Sequence, residues 1–200
     1  MKKTLISLVL VFALLSTCVF SAVFAKYSKS SEEQTITATV SGFGITLVTV
    51  SAKDTALVPG GNGILATTSA EGTLKVDATL TYTAEVDIEG FTLANDEEYC
   101  PVVFTVDGKE YGFGKSYNNG TADIAIDTIA KLETALAYAI TQHKVTLNAA
   151  NYATTYTNGV VDPSIISWAW AHNPANNDKD TQLGDGDTIT VTLTATIAQN

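Results

Sequence analysis

Apolar and polar residues alternate strictly over two long stretches of the chain. In residues 188–197, apolar side chains occupy every second position and threonines fill the positions between them. The same period of two runs through residues 76–88, where Val76 and the apolar residues at even positions oppose acids and threonines. Because successive side chains of a β-strand point to opposite faces, both stretches are predicted to be strands with one buried face. Such one-sided strands are typical of antiparallel sheets.

Shorter strands are predicted between clusters of turn residues. They cover residues 35–41, 45–53, 64–69, 73–77, 102–106, 109–113 and 165–172. Asp107 and Gly108 form a two-residue sequence that strongly favours a tight hairpin between the strands 102–106 and 109–113. Trp168 and Trp170 alternate with Ile166, which predicts that both indoles lie in the core, although a sugar-binding platform is the alternative.

A period of three to four residues replaces the alternation between residues 127 and 142. The apolar positions there are Ile129, Leu132, Leu136 and Ile140. This spacing indicates an amphipathic helix with Asp127 or Thr128 as its N-cap. Residues 144–163 and 173–187 are predicted to be long polar loops. The chain is therefore expected to be mainly β: a two-sheet antiparallel β-sandwich of jelly-roll type with one inserted helix at about 127–142.

The first 25 residues have the parts of a secretory signal peptide. Two lysines precede a long apolar run, and Val23 and Ala25 suit the positions before a cleavage site. We expect cleavage between Ala25 and Lys26, which leaves residues 26–200 as a single domain. An uncleaved membrane anchor and a lipoprotein attached at Cys18 are the alternatives.

The charge and the cysteine content of the chain limit the classes of function that it can have. The chain carries 11 basic residues, none of them arginine, against 21 acids, a formal net charge of −10. Without residues 1–25 the net charge becomes −12, because two lysines and no acids are removed. This balance argues against binding nucleic acid, and no second apolar run predicts membrane insertion of the mature form. Cys100 then has no cysteine to pair with, and it is expected to be a buried apolar residue.

Catalytic motifs are absent, so no enzyme activity and no cofactor are predicted. His143 and His172 are interpreted as ordinary surface or edge residues. One acidic segment is a weak calcium candidate. Its residues at loop positions 1, 3, 5 and 12 are Asn176, Asp178, Asp180 and Asp187. Thr181 replaces the glycine that a calcium loop needs at position 6, which leaves an acidic turn as the alternative.

Several short segments occur in an order that resembles one family. They are the junction at Ala25-Lys26-Tyr27, the Pro-Gly turn in residues 57–63, Tyr99-Cys100-Pro101, the Ile-Ser-Trp-Ala-Trp stretch of residues 166–170, and residues 177–184 before the final alternating strand. This order resembles exported proteins of Gram-positive bacteria related to TasA and camelysin. The resemblance implies a jelly-roll domain, export through a SipW-type signal peptidase, and a place in extracellular matrix or surface fibres.

The same resemblance implies assembly by strand donation, in which residues 26–41 complete the sheet of the next subunit. Ile36, Ala38 and Val40 alternate with threonines, a pattern that suits a donor strand. The alternative is that this segment is the first strand of its own sheet.

The function that follows is a secreted structural protein of a biofilm matrix or surface fibre, located outside the cell or on its surface. Its expected partners are copies of itself, the signal peptidase and other matrix proteins. A monomeric adhesion or carbohydrate-binding module is the second hypothesis. A camelysin-like surface metalloprotease is the third, and the zincin motif it would need is absent.

Overall fold

The computed structural model describes residues 36–38, 45–52, 57–156, 158–171, 173–183 and 187–200. The predicted signal peptide, its cleavage site between Ala25 and Lys26, Val40 and His172 lie outside these residues. Within the described residues, no helix is long and apolar enough to span a membrane.

The described residues form strands and helices in the following order. The strands are β1 (Ile36–Ala38), β2 (Ile45–Ala52), β3 (Asn62–Gly72), β4 (Ala78–Glu89), β5 (Val103–Val106), β6 (Lys109–Tyr111), β7 (Ser116–Asn118), β8 (Asp123–Ala125), β9 (Lys144–Leu147), β10 (Val160–Ala169) and β11 (Thr188–Gln199). The helices are α1 (Ile129–Gln142), α2 (Tyr152–Thr155), the 3-10 turn Pro174–Asn176 and α3 (Asn177–Asp180).

These strands form three sheets in which every pair is antiparallel. The largest has the order β1-β2-β3-β10-β5-β6, the second has the order β11-β4-β9, and β7 and β8 form a separate hairpin. The prediction of a mainly β, antiparallel fold is confirmed. The hairpin at Asp107 and Gly108 is confirmed as well, and both residues have the positive φ that a tight hairpin turn requires.

The longest ladder joins β4 to β11 over twelve residue pairs without a break in register. Leu80, Tyr82 and Ile88 of β4 are buried, and the acids between them are exposed, as the alternation predicts. Val76 is an exception, because it precedes β4 and is exposed.

Three segments differ from the sequence-based expectation. The predicted loop 173–187 contains the 3-10 turn and α3, so α1 is not the one helix of the described residues. The predicted break between strands 64–69 and 73–77 does not occur, and residues 73–77 are not a strand. β3 instead continues to Gly72, because β2 supplies pairing partners as far as Ile45. The predicted loop 144–163 contains β9, which pairs with the start of β4, and the first residues of β10.

One core cluster contains buried residues of both larger sheets and of α1. Thr128 caps α1 by accepting a hydrogen bond from the Lys131 N–H, 3.3 Å away. The buried face of the helix contains the predicted residues Ile129, Leu132, Leu136 and Ile140. Burying a side chain of this size contributes about 1.5–3 kcal/mol.

The buried tryptophans and the cysteine match their predictions. Trp168 and Trp170 are 4% and 6% exposed, and Ile166 is fully buried beside them in the core. Cys100 is buried, and this burial raises the pKa of its thiol to about 12. Its thiol is therefore protonated at neutral pH.

Candidate functional site

The predicted donor residues Ile36 and Ala38 belong to β1, the outermost strand of the largest sheet. Ile36 lies opposite Val50 of β2, and Ala38 lies opposite Val48. β1 also contacts β11, the edge strand of the second sheet, without pairing to it among the described residues. The segment is thus the first strand of its own sheet in this structure, and it lies where the two sheets meet.

The edge that β1 covers is apolar on its core side. Val48 and Val50 of β2 are buried, while Thr49 between them is half-buried. Among the described residues, three pairs join β1 to β2. We call this three-residue pairing the assembly edge. An uncovered strand edge presents unpaired N–H and C=O groups, so β2 needs either β1 or an equivalent strand here.

The calcium candidate residues are spread over several elements. Asn176 ends the 3-10 turn, Asp178 and Asp180 lie in α3, and Asp187 precedes β11. Thr181 follows α3 in a right-handed helical conformation, where a calcium loop needs a glycine turn. No group of three or more His, Cys, Asp or Glu residues in the described part of the chain is placed to hold a metal ion.

Two of these acids instead anchor their segment to residues 91–99. The buried Asp180 accepts a hydrogen bond from the Tyr99 hydroxyl at 2.7 Å, and Asp187 accepts one from the Phe91 N–H at 3.0 Å. Lys179 adds an ion pair to Glu97 at 2.7 Å. The carboxylates of Asp180 and Asp187 therefore act as hydrogen-bond acceptors that hold this segment in place. The calcium site remains a prediction.

The most polar buried site of the described residues surrounds His143, the residue directly after α1. Its Nε2 lies 2.7 Å from Oδ2 of Asp162 in β10, and its Nδ1 lies 2.6 Å from Oδ1 of Asp107 in the β5–β6 turn. The Asp162 side chain is 5% exposed and that of Asp107 is 54% exposed. The imidazole also stacks on the ring of Tyr82, with centroids 5.4 Å apart.

Tyr82 extends this cluster to β4 of the second sheet, and Thr68 adds a residue of β3, the strand beside β10. The Tyr82 hydroxyl lies 2.7 Å from Oδ2 of Asp162 and 2.9 Å from Oγ1 of Thr68. A carboxylate can only accept, so Tyr82 donates its single proton to Asp162 and receives one from Thr68. The Ser164 N–H donates to the other oxygen of Asp162 at 3.2 Å. The buried carboxylate is therefore well supplied with donors.

This geometry favours the ionised forms of His143 and Asp162. The hydrogen bond to Asp162 raises the pKa of His143, against the opposing effect of burial, and Asp107 raises it further. Burial raises the pKa of Asp162, but hydrogen bonds from His143 and Tyr82 outweigh burial and leave that pKa below its usual value. Burial also raises the pKa of Tyr82 far above its ordinary value, so its hydroxyl remains a donor.

The cluster ties three elements together and is poorly arranged for proton transfer. Both imidazole nitrogens face carboxylates, so neither is available to take a proton from a third group. An imidazolium between Asp107 and Asp162 connects the end of α1, the β5–β6 turn and β10. Its geometry identifies a structural cross-link whose strength depends on protonation.

The interpretation of His143 as a surface or edge residue was wrong. A signal for its burial exists in the sequence, because His143 follows Leu136 and Ile140 at seven and three residues and so continues the apolar face of α1. Its partners Asp162 and Asp107 come from distant segments, and no local pattern connects them. This part of the site could be found only from the fold.

Comparison with known proteins gives no relative for this chain. No family model, no curated protein and no solved structure matches it. The function is therefore argued from the residues and contacts of this chain.

Proposed function

We propose that this protein is a secreted structural protein of a biofilm matrix or surface fibre, and that it assembles by exchanging its N-terminal strand. The observation that supports this proposal best is the position of β1. Its described residues, Ile36–Ala38, lie at the end of a sheet, pair with β2 and contact the edge strand of the second sheet.

Exchange at the assembly edge would replace a strand by an identical strand. If β1 leaves, β2 loses its partner along Val48–Val50, and β1 of another copy can restore the same pairing. β1 lies at the end of the sheet, so exchange leaves the pairing of β2 with β3 in place. Gly42 and Gly44 lie between β1 and β2 in the sequence, and glycine adopts backbone conformations that other residues avoid. Head-to-tail exchange does not close, so it produces filaments.

We also propose that the two larger sheets form a β-sandwich of jelly-roll type. β3 pairs with β10 while the next strand, β4, pairs with β9, so the pairs are nested as in a folded antiparallel ribbon. The hydrogen bond from Tyr82 in β4 to Asp162 in β10 supports face-to-face packing of the sheets. The resemblance to the TasA and camelysin group adds export by a SipW-type signal peptidase and an extracellular location.

Electron microscopy of the purified mature protein, residues 26–200, tests this proposal. We expect fibres from that chain and none from a chain that begins at Ile45, because the latter has no strand to donate. Circular dichroism of both chains is the control for folding. Monomers of the longer chain at every concentration, pH and salt tested would overturn the proposal. Equal fibre formation by both chains would overturn strand exchange.

A further inference from the structure

The imidazole of His143 is held in one position from several sides. The backbone N–H of His143 ends α1 by donating to the carbonyls of Ala139 and Ile140, which fixes the base of the side chain. The ring stacks on the ring of Tyr82 at an angle of 19°, and the whole side chain is 9% exposed. The imidazole therefore keeps its place when its charge changes.

The two carboxylates that the imidazole contacts differ in how much they depend on it. The Asp162 side chain is 5% exposed, so water cannot readily replace a donor that it loses. The Asp107 side chain is 54% exposed in the β5–β6 turn, where water can take the place of His143. Because a buried charge without a partner costs more than an exposed one, the bond to Asp162 is the one that the fold needs more.

The charged groups that act on the ring come from β10 and from the β5–β6 turn. The hydrogen bond to Asp162 is the largest cause that raises the pKa of His143, and Asp107 raises it further. Tyr82 of β4 stays neutral, because burial raises the pKa of its hydroxyl far above its ordinary value. Lys144, the next residue in β9, is exposed. The ring therefore loses its proton only above about pH 6.5, its ordinary value.

Loss of one proton leaves the imidazole with one donor for two acceptors. A neutral ring has one N–H and one lone pair, and a carboxylate can only accept. Nε2 is the nitrogen expected to keep its proton, because it faces the buried Asp162. The proton then leaves Nδ1 for solvent, and the lone pair of Nδ1 faces Oδ1 of Asp107, 2.6 Å away. Two acceptors repel each other at that distance, so Asp107 has to move.

The β5–β6 turn has room for such a movement. Val106, Asp107 and Lys109 border a cleft of about 520 Å³, whose other walls are β7 and the C-terminal half of α1. A Cβ placed on Gly108 would meet no atom within 4 Å. β6 is the last strand of its sheet, so the turn can shift without separating any strands other than β5 and β6.

We propose that the β5–β6 turn, residues 106–109, is a latch that charged His143 holds against the end of α1 and that neutral His143, with its proton on Nε2, releases. The latch lies at the opposite end of the sheet from the assembly edge. The proposal goes beyond the proposed function and does not depend on strand exchange. It describes a domain in which one turn opens as pH rises while the rest stays folded.

The first measurement locates the proton on the ring. Long-range ¹H–¹⁵N NMR spectra of the purified protein distinguish the charged imidazole from its two neutral forms. The signals of His143 are those that disappear in His143→Gln. Between pH 5 and pH 10 we expect one transition, from the charged ring to the neutral form with its proton on Nε2.

The second measurement compares how fast trypsin cuts after Lys109, which is exposed but paired with Val106, so that cutting requires the turn to open. The informative variant is Asp107→Asn. Asparagine suits the same tight turn, and its amide can donate to an unprotonated Nδ1 as well as accept from a protonated one. The variant should therefore keep the turn in place whether or not His143 is charged. Comparing two proteins at one pH removes the pH dependence of trypsin itself.

The two rates are measured one pH unit above and one below the midpoint of the His143 transition. Above it, the unaltered protein should be cut after Lys109 about threefold faster than Asp107→Asn, the size expected for an ion pair with an exposed partner. Below it, the unaltered protein should be cut no faster than the variant. Asp96→Asn is the matched control, because Asp96 is also an exposed aspartate with positive φ in a turn. This control should be cut after Lys109 as the unaltered protein is at both pH values.

Three outcomes would overturn the latch. One is a neutral ring that carries its proton on Nδ1, and another is a ring that stays charged up to pH 10. The third is a ratio of cutting rates between the unaltered protein and Asp107→Asn that is the same on both sides of the midpoint. The NMR result comes from the unaltered protein, so it decides even where a variant fails to fold.

Discussion

The β4–β11 ladder and the β1–β2 pairing are both antiparallel, but they differ in their position within a sheet and in what their loss would expose. Twelve residue pairs join β4 to β11, and the buried side chains of β4 contact α1 and the opposite sheet. Among the described residues, three pairs join β1 to β2 at the end of a sheet. We infer that the ladder of the central strand β4 holds the domain together and that the pairing at the end of the other sheet is available for exchange.

The largest expected loss of stability comes from the core beside β10. Trp168→Ala should lower the free energy of unfolding by about 3–5 kcal/mol, because a buried aromatic side chain leaves a cavity. Chemical denaturation measures the change. Thr190→Ala, at an exposed position of β11, is the control and should change stability by less than about 0.5 kcal/mol. Equal effects of both substitutions would contradict the placement of the core.

The second-largest loss of stability is expected from substitutions in the buried cluster around His143. Asp162→Asn keeps the shape of the side chain but leaves the imidazolium of His143 without its most buried partner. We expect a loss of about 3 kcal/mol near pH 6, since breaking a buried pair strands a charge. Asp107→Asn, at the exposed side of the same imidazole, should cost less than about 1 kcal/mol. Urea denaturation of both variants measures the two losses of unfolding free energy. A larger loss for Asp162→Asn than for Asp107→Asn would show that the more buried carboxylate contributes more.

The same cluster predicts how stability depends on pH. The pKa of His143 is raised in the folded state, so its contribution is complete below about pH 6.5 and is lost as pH rises through the folded value. The pKa of Asp162 is lowered, so its contribution is present above about pH 3.9 and is lost as pH falls through the folded value. The cluster therefore stabilises the fold most between about pH 4 and 6.5.

Comparison with His143→Gln isolates this effect from the other titrating groups. We expect the difference in unfolding free energy between the two proteins to be greatest in that window and to shrink toward pH 9. A difference that is constant from pH 4 to pH 9 would show that the imidazole is not charged in the folded protein.

The smallest effect on the monomer is expected at the assembly edge. Thr37→Pro removes a backbone donor from β1 and disfavours its pairing. Because β1 lies at the end of a sheet, where proline is tolerated best, the unfolding free energy should change by less than about 1 kcal/mol, yet fibres should disappear. Fibre yield by microscopy and denaturation of the monomer are measured together. If the monomer unfolds instead, β1 is an essential part of its own domain.

Local patterns predict the regular elements of this chain well, and the reason is physical. The alternation in β4 and β11 and the spacing in α1 each follow from one buried face, so a few neighbouring residues carry the information. The break predicted after Ser69 was wrong because pairing with β2 carries β3 on to Gly72. A strand end that depends on a partner is not visible in the strand alone.

The candidate sites depend even more strongly on residues that are distant in the sequence. Ile36 and Ala38 could be selected as a strand from alternation, but the contact of β1 with β11 is a property of the folded sheets. The cluster around His143 joins Asp107, Asp162 and Tyr82 from separate elements. Long-range packing creates these sites, and no sequence window contains them.

The most direct test of strand exchange uses the register of the assembly edge. Thr37 and Thr49 lie directly opposite each other, at a spacing that suits a disulfide when both are replaced by cysteine. Cys100 should not interfere, because it is buried and its thiol remains protonated. Oxidation of Thr37→Cys/Thr49→Cys can thus join β1 to β2 either within a subunit or between subunits.

Non-reducing gel electrophoresis of that double variant separates the two cases. We predict that protein oxidised as a dilute monomer forms the bond within one chain and makes no fibres until it is reduced. Protein oxidised after fibres have formed should instead give a ladder of disulfide-linked multimers, because β1 then pairs with β2 of the next subunit. Fibres from the locked monomer, or fibres that contain only bonds within single chains, would contradict strand exchange.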